Sequence, residues 1–308
     1  MLSWVKRHRF KLVAIVMVLL LPSLFLKNLD SNITEAEVIQ QFKTMAYSQE
    51  FTPEFDTIHV MDRSIYYMCI GDTTKPLVFF VHGAPGSYDN FMGFLKDSTL
   101  LQHARMLSVD RPGYGNSGKK ESETSIEKQA KMLLEILKAN DKGRGVVLVG
   151  HSYGGPIIAR MAMEVADNEP DLIDALVLAA PAIDPEHEKI FFVSRKVPWA
   201  IVKWITPRFL KRANDEKMTH VEELKKMLPL WEKITIPVTY IHGEKDGLVP
   251  FENTAFAKRV LVNAPVDYVT KEKMGHLIPW KNPELMKDAI LKHLSQIDSV
   301  QHISLSGK

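Results

Sequence analysis

The sequence predicts an α/β protein: a mostly parallel eight-stranded sheet with helices on both faces and a helical cap. Three observations carry that expectation. Short, continuous apolar runs recur along the chain, as strands buried on both faces require. Helix-like segments alternate with them, so that successive strands are joined by crossovers and run parallel. One interval, 181–236, breaks the alternation with helical stretches and no strand. It is too long for a simple crossover and is expected to cap the carboxyl ends of the strands.

Taken in order, the chain begins with a segment unlike the rest, residues 1–29. Lys6, Arg7, His8, Arg9 and Lys11 precede an apolar run at 12–26, broken only by Pro22 and Ser23. As a helix that run spans about 22 Å, short of a hydrocarbon core of about 30 Å, which argues for a cleaved signal peptide. The following Phe25-Leu26-Lys27-Asn28-Leu29-Asp30 offers no small-x-small cleavage site. An uncleaved signal anchor is therefore preferred, with cleavage and secretion as the alternative. In both cases the basic end stays cytoplasmic and the catalytic domain is translocated, to a periplasmic or other extracytoplasmic space. A membrane is an expected partner through residues 12–26.

Residues 30–54 form a polar connecting helical segment, with Thr34 as N-cap and Glu35 and Glu37 in the first turn. The core comprises 55–180 and 237–300. Strands are expected at 55–60 and 64–70, joined by Met61-Asp62-Arg63 as a hairpin, then at Leu77–Val81, 106–109, 146–149, 175–180, 238–241 and 266–270. Helices are expected at 88–95, 125–140, 156–165, 252–260 and 283–293.

Composition removes several function classes. With 308 residues, 45% hydrophobic and 25% charged, the chain is an ordinary globular protein with one large core or two modest ones. Its formal charge of +2 owes much to the N-terminal cluster, and no basic stripe suggests a nucleic-acid partner. Cys69 is the only cysteine, which excludes an intrachain disulfide and a cysteine metal cluster. Nothing in the sequence sets the oligomeric state.

The chemistry gathers at the ends of the predicted strands, where ligands bind in an open parallel sheet. An apolar run enters Gly150-His151-Ser152-Tyr153-Gly154-Gly155, and a helix-like segment follows at once. G-x-S-x-G between a strand and a helix makes a turn so tight that its flanking residues must lack bulk, and it exposes the serine hydroxyl at the sheet's end. The other strands deliver His82-Gly83-Ala84-Pro85-Gly86, Asp110-Arg111-Pro112-Gly113-Tyr114-Gly115-Asn116-Ser117, His242-Gly243-Glu244-Lys245-Asp246-Gly247 and, after the last, Lys273-Met274-Gly275-His276-Leu277. A serine at an elbow, an acid after a later strand and a histidine after the final one give the order Ser, Asp, His.

On these motifs the sequence resembles the α/β-hydrolase superfamily, in its serine-nucleophile branch, from about residue 53 to residue 293. The resemblance implies Ser152 as nucleophile, His276 as its base and Asp246 orienting the imidazole. It also implies an oxyanion hole made by the backbone N–H groups of Ala84 and Tyr153, and no metal or organic cofactor, because such a triad is self-sufficient. Glu244 and Asp184 are alternative acids. His151 is expected to face the scaffold, His82 to brace its own loop, and Asp110 and Arg111 to hold the loop after their strand.

The implied reaction is hydrolysis of a carboxylic ester of a small or medium apolar substrate through an acyl-enzyme. Epoxide hydrolases and haloalkane dehalogenases resemble the chain in two motifs but carry aspartate at the elbow. Proline iminopeptidases, which resemble it in the oxyanion loop, normally have Asp-Gln-Arg-Gly where this chain has Asp110-Arg111-Pro112-Gly113. Amide cleavage of that kind and carbon–carbon bond hydrolysis stand as alternatives, and a non-catalytic binding protein on the same scaffold is the alternative of a different class. In the cap, Phe191, Phe192, Trp199 and Trp204 interleave with Lys189, Arg195, Lys196 and Lys203. That face is expected to cover an apolar acyl pocket. Lysines facing solvent are preferred over contact with a membrane surface.

Overall fold

The computed structural model of the chain describes residues 33–45, 50–118, 122–189 and 206–306. The expected anchor or signal segment at 1–29 and the aromatic, basic part of the cap at 190–205 lie outside these residues. Among the described residues, no helix is long and apolar enough to cross a membrane.

Eight strands form one sheet in the order β1-β2-β4-β3-β5-β6-β7-β8. They are β1 (Glu54–Val60), β2 (Arg63–Ile70), β3 (Leu77–Val81), β4 (Arg105–Val109), β5 (Val146–His151), β6 (Ala175–Ala179), β7 (Val238–Gly243) and β8 (Val266–Lys271). β2 is antiparallel to β1 and to β4, and every pairing from β4 to β8 is parallel. The hairpin turn is one residue tighter than expected. Val60 pairs with Arg63, so Arg63 belongs to β2, and Met61 takes φ 54° to close the turn.

The strands were legible as apolar runs because β3 to β7 are buried along their whole length. Their alternate side chains feed two cores, one on each face. Phe79, Val81, Leu148, Leu176 and Tyr240 meet helices α4 (Ile126–Asn140) and α5 (Gly154–Val165). Val78, Phe80, Val149, Val177 and Ile241 meet Val38 and Phe42 of α1 (Glu35–Lys43), Phe94 of α2 (Met92–Leu95), Leu100 of α3 (Ser98–His103) and Ile290 of the C-terminal helix. Thr34 caps α1 through a capping box with Glu37.

Between β6 and β7 the described residues include the long helix α6 (Arg208–Met227) and a 3-10 stretch, Leu228–Lys233. Helix α6 turns Glu216, His220, Glu223 and Leu224 inward. Helices α7 (Glu252–Val260), α8 (Ile278–Lys281) and α9 (Pro283–Ser306) complete the chain.

The sheet order positions the site. From β3 the chain crosses to β4 on one side, then returns past β3 to β5 and continues to β6 on the other. The loops after β3 and β5 therefore diverge, leaving a crevice at their carboxyl ends. In register, Val81 pairs with Gly150, so the loop that starts at His82 stands beside the elbow at Ser152.

Candidate active site

Ser152 occupies the turn between β5 and α5 at φ 55°, in the left-handed region that favours glycine. Three backbone hydrogen bonds hold it there: Ser152 N–H to Ala179 O at 2.9 Å, Gly155 N–H to Ser152 O at 3.0 Å, and Ala182 N–H to Ser152 O at 3.2 Å. The flanking glycines are sterically required. A Cβ on Gly150 would stand 2.6 Å from Gly154 O, and one on Gly154 would stand 2.1 Å from Val81 O. A Cβ on Gly83 would approach Ser152 Cβ to 3.0 Å, so the β3 loop lies directly against the serine.

Asp246, buried in the loop after β7, accepts from His276 Nδ1 through Oδ2 at 2.7 Å. Its Oδ1 accepts from the backbone N–H groups of Leu248 and Val249 at 2.9 and 2.8 Å. Burial alone would raise the carboxyl pKa, but the hydrogen bonds from His242, His276 and Val249 outweigh it and hold Asp246 well below the usual carboxylate range. An ionised Asp246 can only accept, so His276 Nδ1 is the donor in this bond. The elbow serine and His276 are both half-buried.

Two further histidines support this pair. His151, buried at the end of β5, donates from Nε2 to the backbone carbonyl of His276 at 3.0 Å, and its ring lies 4.8 Å from the His276 ring. Its scaffold role is thus specific: it props the loop of the candidate base. Burial, with the nearby His276, lowers the His151 pKa to about 3, so it stays neutral. His242, fully buried, places Nε2 3.2 Å from Val249 O and 3.4 Å from Asp246 Oδ2. In the sequence His242 is only one of the residues of its motif, because its approach to Asp246 depends on how the turn after β7 folds back.

The β3 loop is braced as expected. His82 Nε2 accepts from the Arg111 N–H at 3.0 Å, which leaves Nδ1 to donate to Gly83 O at 2.7 Å. Asp110 accepts from the Tyr88 N–H at 2.7 Å and the Asn116 N–H at 2.6 Å, and burial pushes its carboxyl up to about 7 against those bonds. Arg111 does more than hold its own loop: its guanidinium meets Glu216 of α6 at 2.6 and 3.1 Å, a pair no sequence signal announced. Burial opposes that charge, but Glu216 keeps the guanidinium protonated beyond its ordinary range.

Both backbone groups of the expected oxyanion hole stand beside Ser152: Tyr153 follows it at the start of α5, and Ala84 follows Gly83. Among the described residues, neither Ala84 N–H nor Tyr153 N–H has a hydrogen-bond partner. Neither alternative acid bonds His276. Asp184 Oδ2 meets His187 Nδ1 at 2.7 Å, and Glu244 is exposed.

Comparison with known proteins agrees with the fold. A family model of the alpha/beta hydrolase fold matches residues 76–200. The lysophosphatidylserine lipase ABHD12 of Rattus norvegicus is 25% identical over 231 residues, covering 69% of this chain and 54% of its own length. The chain thus spans about half the length of the curated relatives it matches. Among solved structures, a membrane phospholipase A, described as a bacterial virulence factor, superposes with a TM-score of 0.62 at 18% identity, covering 97% of this chain and 99% of that one. An esterase from Exiguobacterium antarcticum superposes with a TM-score of 0.60 at 19% identity, covering 79% of this chain and 100% of its own. The crevice between β3 and β5, with its glycine-flanked serine, thus belongs to a chain with the alpha/beta hydrolase fold.

Proposed function

We propose that the chain is a serine hydrolase that cleaves a carboxylic ester of an apolar acyl substrate through an acyl-enzyme. Ser152 Oγ attacks the ester carbonyl while His276 Nε2 takes its proton. The Ala84 and Tyr153 N–H groups bind the oxyanion of the tetrahedral intermediate. His276 returns the proton to the departing alcohol, and water, activated by the same imidazole, releases the acid. Asp246 orients the imidazole and stabilises its protonated form. The observation that carries this reading is the 2.7 Å hydrogen bond between Asp246 and His276, at the end of the sheet where Ser152 is held at φ 55°.

The named relatives favour lipid esters: one is called a lysophosphatidylserine lipase, and one structural neighbour a membrane phospholipase A. A monoacyl phospholipid is therefore the substrate class to try beside simple esters. Residues 12–26 would hold the enzyme at a membrane, with the catalytic domain translocated, which suits such a substrate.

A fluorophosphonate probe tests the reading. Wild type should be labelled and Ser152→Ala should not; equal labelling of both rules out Ser152 as nucleophile. In the same assay, p-nitrophenyl esters of rising chain length should be turned over in preference to proline p-nitroanilide. Preference for the anilide would move the assignment to amide cleavage.

A further inference from the structure

The Gly83 carbonyl and the Ala84 N–H belong to one peptide unit, which is trans and planar, so the two bonds point in opposite directions. Whatever fixes the carbonyl aims the N–H. Two donors hold that carbonyl: His82 Nδ1 at 2.7 Å and Arg111 Nη2 at 2.9 Å. The fully buried guanidinium is gripped from its other side by Glu216 of α6, with Nη1 2.6 Å from Oε1 and Nη2 3.1 Å from Oε2. Tyr114 Oη and Gln129 Nε2 donate to the same carboxylate at 2.7 and 3.1 Å, so Glu216 cannot swing away without losing several bonds. The guanidinium carbon also lies 4.8 Å from the centre of the Tyr153 ring, under the residue that carries the second oxyanion N–H.

We propose that Glu216 and Arg111 are positioning residues: the carboxylate on α6 clamps the guanidinium against the Gly83 carbonyl and so aims the Ala84 N–H at the oxyanion. This rests on the serine-hydrolase reading above. The value of the pair is geometric. A fully buried ion pair gives little net stability, because desolvation offsets most of the attraction. Arginine suits the task because its planar fork satisfies a carboxylate and a carbonyl together, which a lysine ammonium cannot do in fixed geometry.

Two variants test the clamp. Arg111→Met/Glu216→Met removes both charges together, so neither is left buried and unpaired. Glu216→Gln leaves the guanidinium in place but breaks the fork. After a melting scan shows each folded, p-nitrophenyl ester kinetics are measured beside affinity for phenylboronic acid, which forms a tetrahedral adduct on a nucleophilic serine. Both kcat and boronate affinity should fall together, by about 10- to 100-fold, with KM within about twofold of wild type. A folded variant that keeps wild-type kcat and boronate affinity, or one in which only KM rises, overturns the clamp and leaves the serine-hydrolase reading standing. A wild type that takes up neither boronate nor fluorophosphonate overturns that reading, and the clamp with it.

Discussion

A serine at φ 55° costs about 1–3 kcal/mol of backbone strain, and the fold holds Ser152 there through the hydrogen bonds to Ala179, Gly155 and Ala182. The same principle of fixed polar groups governs Asp110, whose carboxyl is pushed up to about 7 by burial although two backbone N–H groups favour its charge. An unfolded aspartate titrates near about 3.9, so between that pH and about 7 the folded chain binds a proton that the unfolded chain has released. The contribution of Asp110 to stability is therefore fully present below about pH 4 and is lost as pH rises through about 7. Urea midpoints of wild type and Asp110→Asn should show the wild-type advantage shrinking over that window; an advantage that grows with pH would contradict the assignment. Residues of this kind were only half legible. Ser152, Asp246 and His276 stood out because each follows a strand in a motif of small residues. The supporting contacts of His151, His242 and Glu216 depend on side-chain directions that no motif encodes.

At the scale of elements, legibility followed burial and length. Strands β3 to β7 read as apolar runs because both faces are covered, and the bounds expected for helices α4 and α7 agree with the observed ones to within a residue. Helices α3 and α8 have 6 and 4 residues, too few to show a period. Helix α9 runs on to Ser306, past the apolar pattern that ended the expected helix at 293. The N-terminal helix α1 carries a sharper test. Thr34 Oγ1 accepts from the Glu37 N–H at 3.2 Å while Glu37 Oε2 accepts from the Thr34 N–H at 2.8 Å, and Val38 and Phe42 are buried on the sheet. Thr34→Ala should cost about 1 kcal/mol in urea unfolding, and Thr34→Asp should restore most of it. An unchanged midpoint for the alanine variant would mean that α1 frays before the domain unfolds.

For the molecule as a whole, the chain order of the catalytic candidates is a consequence of topology. Parallel strands deliver all their carboxyl ends to one edge, so a serine, an acid and a histidine far apart in sequence all arrive at that edge once the sheet order is set. That is why the candidate triad was legible in the sequence, and why the α6 contacts were not. Arg111 and Glu216 are 105 residues apart, and only the folded chain brings them together. The proposed reaction passes through a covalent acyl-enzyme on Ser152. Its most direct measurement is mass spectrometry of the intact chain, acid-quenched during turnover of a p-nitrophenyl ester, with the modified peptide mapped. The acyl group should appear on the peptide that carries Ser152, and Ser152→Ala should show no turnover. An adduct on another residue, with turnover retained in Ser152→Ala, would contradict it.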